Sequence, residues 1–382
     1  MRKFHYLTNQ NTIGKSPMAV SSLFAMWNIV TLLLIAPYGA CSQRLLLHSN
    51  CSATGDCSAR FQKLVSLCNA SSSGCAIYFA PEAATFTLEQ TRAVEISGIS
   101  SGFALEGNGA KIVLQGNSPF IHIYNCSHIS IRNLTLIADR SPFTLGTVIE
   151  STNGHVKLEV DTLRYPLRDD WTRKVVAMHE IDGINMMPKI GGLDWIFRRG
   201  GAPPWERILL KVLSRPKLNT RSTTKTMVSF VDQGFALVPG AKVVLRHTIE
   251  FSRPGLDSIV LQSCRNVSLT DLTIHHSPGM GVLAYDCTNL KLARIINQPL
   301  ADWMPLAGNA DAIHIASSRG RVEVRDCVAN RHGDDGLNIH SQYAVVQEVS
   351  SISHCTGPDS LQLQVGPHVN ADNTSWGSLF AR

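Results

Sequence analysis

Residues 263–297, SCRNVSLTDLTIHHSPGMGVLAYDCTNLKLARIIN, write one short pattern twice. In the first copy Val267, Leu269, Leu272 and Ile274 alternate with polar residues, and in the second Leu290, Leu292 and Ile295 do the same. Alternation at spacing two is the signature of a strand with one buried face. Two further stretches carry it: NCSHISIRNLTL from Asn125, and SSRGRVEVRDCV from Ser317. Val267 to Leu290 is 23 residues, Leu290 to Val322 is 32, and Val322 to Val345 is again 23, so a period in the low twenties is broken once, by NQPLADWMPLAGN. Two or three short strands per unit, with almost no helical patterning, predict a solenoid in which each unit is one coil. The fold expected is all-β, a right-handed parallel β-helix solenoid. A β-sandwich is the alternative, but the repeat lacks the Asn-Gly hairpin turns that join neighbouring antiparallel strands.

The pattern disappears from about Gly146 to Glu250. That segment is rich in Arg, Lys and Trp, contains RRGGAPPWER, and ends in GFALVPGAKVVLRHTIEF with hairpin-like alternation around Pro239-Gly240. It reads as a small β-rich, barrel-like insertion projecting between coils. The expected organisation is a signal peptide over 1–41, an N-terminal cap with the first coils over 42–145, the insertion over 146–250, and coils carrying the active site over 251–382. The last part ends at WGSLFAR without an evident cap, so it is expected to be C-terminally incomplete.

The 382 residues are 44% hydrophobic and 17% charged, which suits a globular chain. Arg2, Lys3 and Lys15 precede an apolar run over 18–36, and small residues follow up to Cys41, which reads as a secretory signal. Left uncleaved, the run would serve as an anchor; the body faces the lumen or the outside in both cases. Without residues 1–41 the formal charge falls from +6 by three to about +3, because Arg2, Lys3 and Lys15 are their only basic residues and no acidic residue leaves with them. That balance gives no argument for nucleic acid as a partner. Sequons begin at Asn50, Asn69, Asn125, Asn133, Asn266 and Asn373, as in a glycoprotein, although Asn133 and Asn266 lie inside repeats where a turn role serves equally. Cys51, Cys57, Cys68 and Cys75 crowd one stretch and are expected to form one or two disulfides closing the cap. Cys126, Cys264, Cys287 and Cys327 recur singly, as small apolar residues that stack inside a coil.

The chemistry-bearing residues fall in residues 309–341, NADAIHIASSRGRVEVRDCVANRHGDDGLNIHS. Aligning DAIHIAS with DGLNIHS puts Ile313 over Leu337, Ile315 over Ile339, and Asp311 over Asp335; Asp334 is also one period from Asp311. Stacked coils are roughly 4.8 Å apart. If the aliphatics point inward, His314, Asn338 and His340 point outward beside Asp311, Asp334 and Asp335. Three carboxylates this close repel, and at least one is expected to shift toward its protonated form. A protonated carboxyl beside an ionised one is the acid and base pair of glycoside hydrolysis. Trp303 and His276 are candidates to line the same cleft. The bland reading makes Asp334-Asp335-Gly336 a turn and Asp311 a solvated strand start, and a Ca²⁺ site is the other use of clustered aspartates. No hydrolase elbow, P-loop or dinucleotide fingerprint occurs.

At these residues, with CRNVSLTDLTIHHSPGMGV upstream and VPGAKVVLRH at the end of the insertion, the sequence resembles glycoside hydrolase family 110, exo-α-1,3-galactosidases with a parallel β-helix and an inserted barrel. The resemblance implies an inverting enzyme that needs no metal or other cofactor and releases terminal α-linked galactose from an oligosaccharide or polysaccharide. It implies Asp311 as general acid and Asp334 and Asp335 as the carboxylates that activate water, with carboxyl groups roughly 6.5–9.5 Å apart. The family carries Ala after the paired aspartates where this chain has Gly336. The polygalacturonase β-helices are the rival, since Asn309-Ala310-Asp311 and Gly333-Asp334-Asp335 also fit their Asn-x-Asp and Gly-Asp-Asp patterns. The region one coil on, SHCTGPDSLQLQVG, lacks the Gly-His-Gly and Arg-x-Lys expected of that family. A non-catalytic glycan-binding β-helix is the reading from another class.

Overall fold

The computed structural model describes residues 43–47, 56–80, 85–88, 93–115, 119–152, 155–167, 174–196, 208–214, 225–231, 237–247, 257–341, 346–351 and 361–365. The leader over 1–41, Cys51, the sequons at Asn50 and Asn373 and the RRGGAPPWER stretch lie outside the described residues. No described helix is long and apolar enough to cross a membrane.

Two parallel sheets form the solenoid. One is built from short strands, in the order Val94–Ser97, Ile121–Tyr124, Ile259–Gln262, Val282–Tyr285, Ile313–Ala316 and Leu337–His340. The other is built from long strands, including Phe103–Leu114, Ser127–Ala138, Arg265–His275, Thr288–Asn297 and Arg319–Arg325. Each coil is a short strand, a two-residue corner, a long strand and a loop, and parallel crossovers of this kind are right-handed in nearly all proteins. The register is the one the repeat predicts: Ile129, Val267, Leu290 and Val322 form one column, and Ile131, Leu269, Leu292 and Val324 the next. Ile131, Leu269 and Leu292 are fully buried, each worth roughly 1.5–3 kcal/mol.

The corners explain the polar residues at fixed places. Asn125, Ser263, Asp286 and Ser317 all turn the chain at φ between 49° and 52°, and Asn133, Asp271, Arg294 and Asp326 bend the long strands at φ between 55° and 58°. A left-handed conformation costs a non-glycine residue roughly 1–2 kcal/mol, and Asn and Asp adopt it most readily. The left-handed backbone at Asn125, Asn133 and Asn266 accounts for asparagine there without a glycan. Cys126, Cys264 and Cys287 follow the corners, are buried as free thiols, and donate to the carbonyls of Tyr124, Gln262 and Tyr285 at 3.3–3.4 Å. Cys327 occupies the column of Ile295.

A helix, Ser58–Asn69, closes the N-terminal end, although the sequence shows little helical patterning. Phe61, Val65 and Cys68, at helical spacing, enter the solenoid core, and the Phe61 ring stacks on Phe120 at 5.8 Å. Asp56 Oδ1 accepts from Ser58 N at 3.0 Å, satisfying a helix-start donor. Cys68 and Cys75 form the expected cap disulfide, and Cys57 is also disulfide-bonded.

Between the long strand Ser127–Ala138 and the short strand Ile259–Gln262 stands an antiparallel sheet of eight strands running from Phe143 to His247. It begins and ends three residues before the limits expected from the sequence. Ile208–Leu209 pairs with Lys174–Ile181, and Lys211–Ser214, one residue further on, pairs with Lys225–Val231. The sheet therefore closes on itself as a small barrel with its own core around Phe143, Leu158, Met178 and Leu245. Val238–Ala241 does turn at Pro239-Gly240. Among the described residues, however, Lys242–His247 pairs with Phe143–Thr152 and Lys174–Ile181, not with a hairpin partner before the turn.

Val345, where the next period was expected, lies outside the described residues. Among the described residues, Val346–Ser351 pairs antiparallel with Leu361–Val365.

Candidate active site

The loops preceding the short strands carry the site. The ladder of Ile259, Val282, Ile313 and Leu337 fixes the residues two positions earlier, Asp257, Met280, Asp311 and Asp335, as one column. Backbone bonds extend the ladder into these loops: Gly281 N donates to Asp311 O at 3.0 Å and Ala312 N to Asp335 O at 2.9 Å. Asp334, one residue earlier, stands beside that column. Asp311, Asp334 and Asp335 each present an oxygen within 4.8 Å of the other two. This is closer than the roughly 6.5–9.5 Å expected from the sequence reading and falls nearer the ~5–5.5 Å typical of nucleophile and acid pairs. A cluster of this kind has the hard oxygen donors that divalent cations take.

Asp311 is buried to 3% exposure, while Asp334 and Asp335 are exposed. Its Oδ2 meets His314 Nδ1 at 2.5 Å and its Oδ1 accepts from Asp335 N at 3.3 Å. His314 Nε2 meets His340 Nε2 at 2.9 Å. If His314 donates from Nδ1 to the carboxylate, its Nε2 is an acceptor and His340 is the donor. Asn338 lies beside His314 in the next coil. Partial burial, then the charges of Asp311 and Asp335, push the Asp334 carboxyl above its usual range, against the opposing Arg246. The repulsion expected among crowded carboxylates contributes to the raised Asp334, second to its partial burial.

Trp303 and His276 are not brought to this cluster. Trp303 packs on the barrel, edge to face with Tyr165 at 6.1 Å and with the Arg164 guanidinium 4.5 Å above its ring. The loop that carries it also puts Met304 and Leu306 into the barrel core, so the break in the repeat serves to attach the insertion. His276 is 3% exposed, with Nε2 2.8 Å from Met304 Sδ and its ring against Phe143. Burial lowers it to about 4, making it a neutral packing group and not a cleft residue.

Two residues at the site escaped sequence reasoning. Asp257 precedes Ile259 by the same two positions that separate Asp311 from Ile313, a signal two coils back from Asp311, with Met280 at that position in the coil between. It is mostly buried, accepts from Met280 N at 2.6 Å, and is pushed up to about 6, chiefly by burial. The folded-state value lies above the ordinary 3.8, so the native state binds this proton more tightly than the unfolded chain. Stability accordingly falls as pH rises between about 4 and about 6, by at most about 3 kcal/mol, and stays lower above that window. Asp257→Asn is expected to flatten this part of the profile and to raise Tm at pH 7 by about 3 °C or more; thermal melts across pH 4–7 that overlay the parent would refute it. The second residue is Arg246, on the last barrel strand. It is 4% exposed and donates to Gly333 O at 2.7 Å and Asn309 O at 2.5 Å.

Comparison with known proteins points one way. Residues 252–357, the coils holding every one of these aspartates, match the model of glycosyl hydrolases family 28. The chain is 23% identical over 261 residues, 65% of its length, to alpha-1,3-galactosidase B of Bacteroides thetaiotaomicron. It is 23% identical over 254 residues to the protein of the same name from Akkermansia muciniphila, and 33% identical over 90 residues to alpha-1,3-galactosidase A of Shewanella woodyi. The likeness is to glycosidases. The chain spans 39%, 30% and 15% of the length of these three relatives. The family-28 match falls on the coils with the Asn-x-Asp and Gly-Asp-Asp patterns, while the relatives in the galactosidase group extend the similarity over about two thirds of the chain.

Proposed function

We propose that this chain is the β-helical part of a secreted glycosidase that removes terminal α-1,3-linked galactose from a glycan. The observation that carries the reading is the aspartate cluster on adjacent coils, in which Asp334 leans toward its protonated form beside Asp311 and Asp335. The resemblance implies Asp311 as the acid, but the site's electrostatics favour a different division of labour. Asp334, raised by burial and by its two neighbours, donates a proton to the leaving glycosidic oxygen. Asp311 and Asp335, joined through the Asp335 N–H and stacked in one column, take a proton from the attacking water. His314, held by Asp311 and His340, orients the Asp311 carboxylate, and Asn338 and His340 are placed to meet sugar hydroxyls. The cap disulfide and the N-terminal apolar run support work outside the cytoplasm.

The described site clusters the carboxyl groups of Asp311, Asp334 and Asp335, and Arg246 beside them is engaged with backbone carbonyls. That charge disfavours an acidic sugar and suits a neutral galactoside. Hydrolysis of polygalacturonate is the second reading, favoured by the family-28 match. Incubation with an α-1,3-linked galactobiose and with polygalacturonate, each with and without chelator, separates them. Galactose release that chelator spares is the expected result. Turnover of polygalacturonate alone would transfer the chain to the rival reading, and turnover of neither by the folded protein would favour a non-catalytic glycan-binding β-helix.

The water-activating roles of Asp311 and Asp335 require inversion. β-Galactose is therefore the anomer expected to appear first in a proton NMR time course from an α-galactoside. α-Galactose first would mean a covalent intermediate, as the short carboxyl spacing would permit, and would overturn the single displacement.

A further inference from the structure

Three features tie the inserted barrel to the aspartates. Arg246, on Lys242–His247, is a nearly buried cation whose two described donor contacts run to the carbonyls of Asn309 and Gly333. Those carbonyls lie on adjacent coils, two residues before Asp311 and immediately before Asp334. In return, the buried Asn309 side chain donates to Pro142 O at 2.9 Å and His247 O at 3.0 Å, the points where the chain enters and leaves the barrel. Gly333 leaves the room this arrangement needs, since a Cβ there would lie 2.9 Å from Arg246 Cζ and 2.5 Å from Asn309 O.

We propose that Arg246 is a positioning residue of the glycosidase site: by bridging the Asn309 and Gly333 carbonyls it sets the spacing of Asp311 and Asp334, which makes the barrel a working part of the active site. A planar guanidinium with donors on two nitrogens holds two acceptors at a fixed separation, which an ammonium does not do. The inference rests on the glycosidase reading for its kinetic arm only.

The charge has a second consequence. Asp334 is faced by Asp311 and Asp335, which raise it, and by Arg246, which lowers it. On the barrel side Arg246 faces His179, which burial first and Arg246 second bring down to about 4, so His179 adds no competing charge near neutral pH.

The test compares Arg246→Gln and Arg246→Lys with the parent in kcat, KM and the pH profile of kcat/KM. For Arg246→Gln, kcat is expected to fall about 10–100-fold with KM within threefold, and the limb governed by Asp334 to move to higher pH. Arg246→Lys keeps the charge and loses the two-carbonyl bridge, so the limb should return toward the parent while kcat stays about tenfold low. A lysine variant with parental kcat, or a folded glutamine variant with parental kcat and pH limb, would overturn the proposal. If the glutamine variant does not fold, the lysine variant alone decides. A carbon-13 NMR titration of aspartate carboxyls, with Asp334 assigned through Asp334→Asn, reads the charge effect without substrate. The Asp334 midpoint should be higher in Arg246→Gln than in the parent, and an unchanged midpoint would count against Arg246. A parent with no α-galactosidase activity would sink the functional reading and leave this titration to judge Arg246 separately.

Discussion

Asp334→Asn is expected to lower kcat/KM about 10³-fold on α-galactosides with a poor leaving group, and far less on an aryl galactoside whose phenolate leaves without protonation. General acid catalysis contributes about 10²–10⁴-fold, and its loss is felt in proportion to how much the departing oxygen needs the proton. Asp311→Asn and Asp335→Asn should lose activity on both substrates alike, because removing the base leaves water unactivated whatever the leaving group. The three losses should also be non-additive, since the carboxylates act on one water and one proton. The ratio of kcat/KM on the two substrates is the measurement. If Asp311→Asn is the variant spared on the aryl substrate, the acid is Asp311, as the family resemblance implies, and the assignment drawn from the raised Asp334 carboxyl is wrong. Asp311→Asn also alters the buried contact to His314, so thermal melts of all three variants accompany the kinetics.

Gly333→Ala is expected to cost about 10²-fold or more in kcat although it adds one methyl group. The Cβ would meet Asn309 O at 2.5 Å, Asn309 C at 2.9 Å and Arg246 Cζ at 2.9 Å, and two of those atoms are backbone. The loops holding Asp311 and Asp334 must therefore separate, and a displacement of about 1 Å at reacting groups is enough for a loss of that size. Gly336→Ala provides the contrast. Its Cβ meets only Ala329 Cβ, at 3.2 Å, and alanine is what the resembling family carries there, so its loss should be much smaller. Steady-state kinetics and thermal melts of the two variants check this. Equal kinetics for both would mean that the Asn309–Gly333 contact does not set the site.

How much of this was legible beforehand depended on whether the residues involved repeat along the chain. Val267, Leu290 and Val322 reveal the ladder because a solenoid presents the same buried column in every coil, so its register is a sequence spacing. Asp311 and Asp335 came with it, being fixed two residues ahead of aliphatics that align. Asp257 obeys the same rule two coils before Asp311, but Met280 occupies that position in the coil between and interrupts the run of aspartates. Trp303 and His276 were misplaced for another reason. Their neighbours in sequence are site residues, but their neighbours in space are Tyr165, Arg164, Phe143 and Met304, supplied by the barrel and its docking loop. Val345, from which a further coil was expected, lies outside the described residues, and the antiparallel pairing of Val346–Ser351 just after it is something apolar alternation does not specify.

By itself, then, the sequence determined the parallel β-helix, the presence and approximate limits of a β-rich insertion, and the convergence of Asp311, Asp334 and Asp335 with His314, Asn338 and His340. Each of these follows from a period, and a period is a property of one dimension. Only the tertiary structure bears on which carboxyl holds the proton, because Asp334 is partly desolvated and the charges that face it include Asp311 from another coil and Arg246 from the barrel. It also decided that an arginine 65 residues before Asp311, on a different sheet, fastens the two aspartate loops together. No repeat or spacing encodes that contact, since it exists only where the closed barrel is set down on the coils.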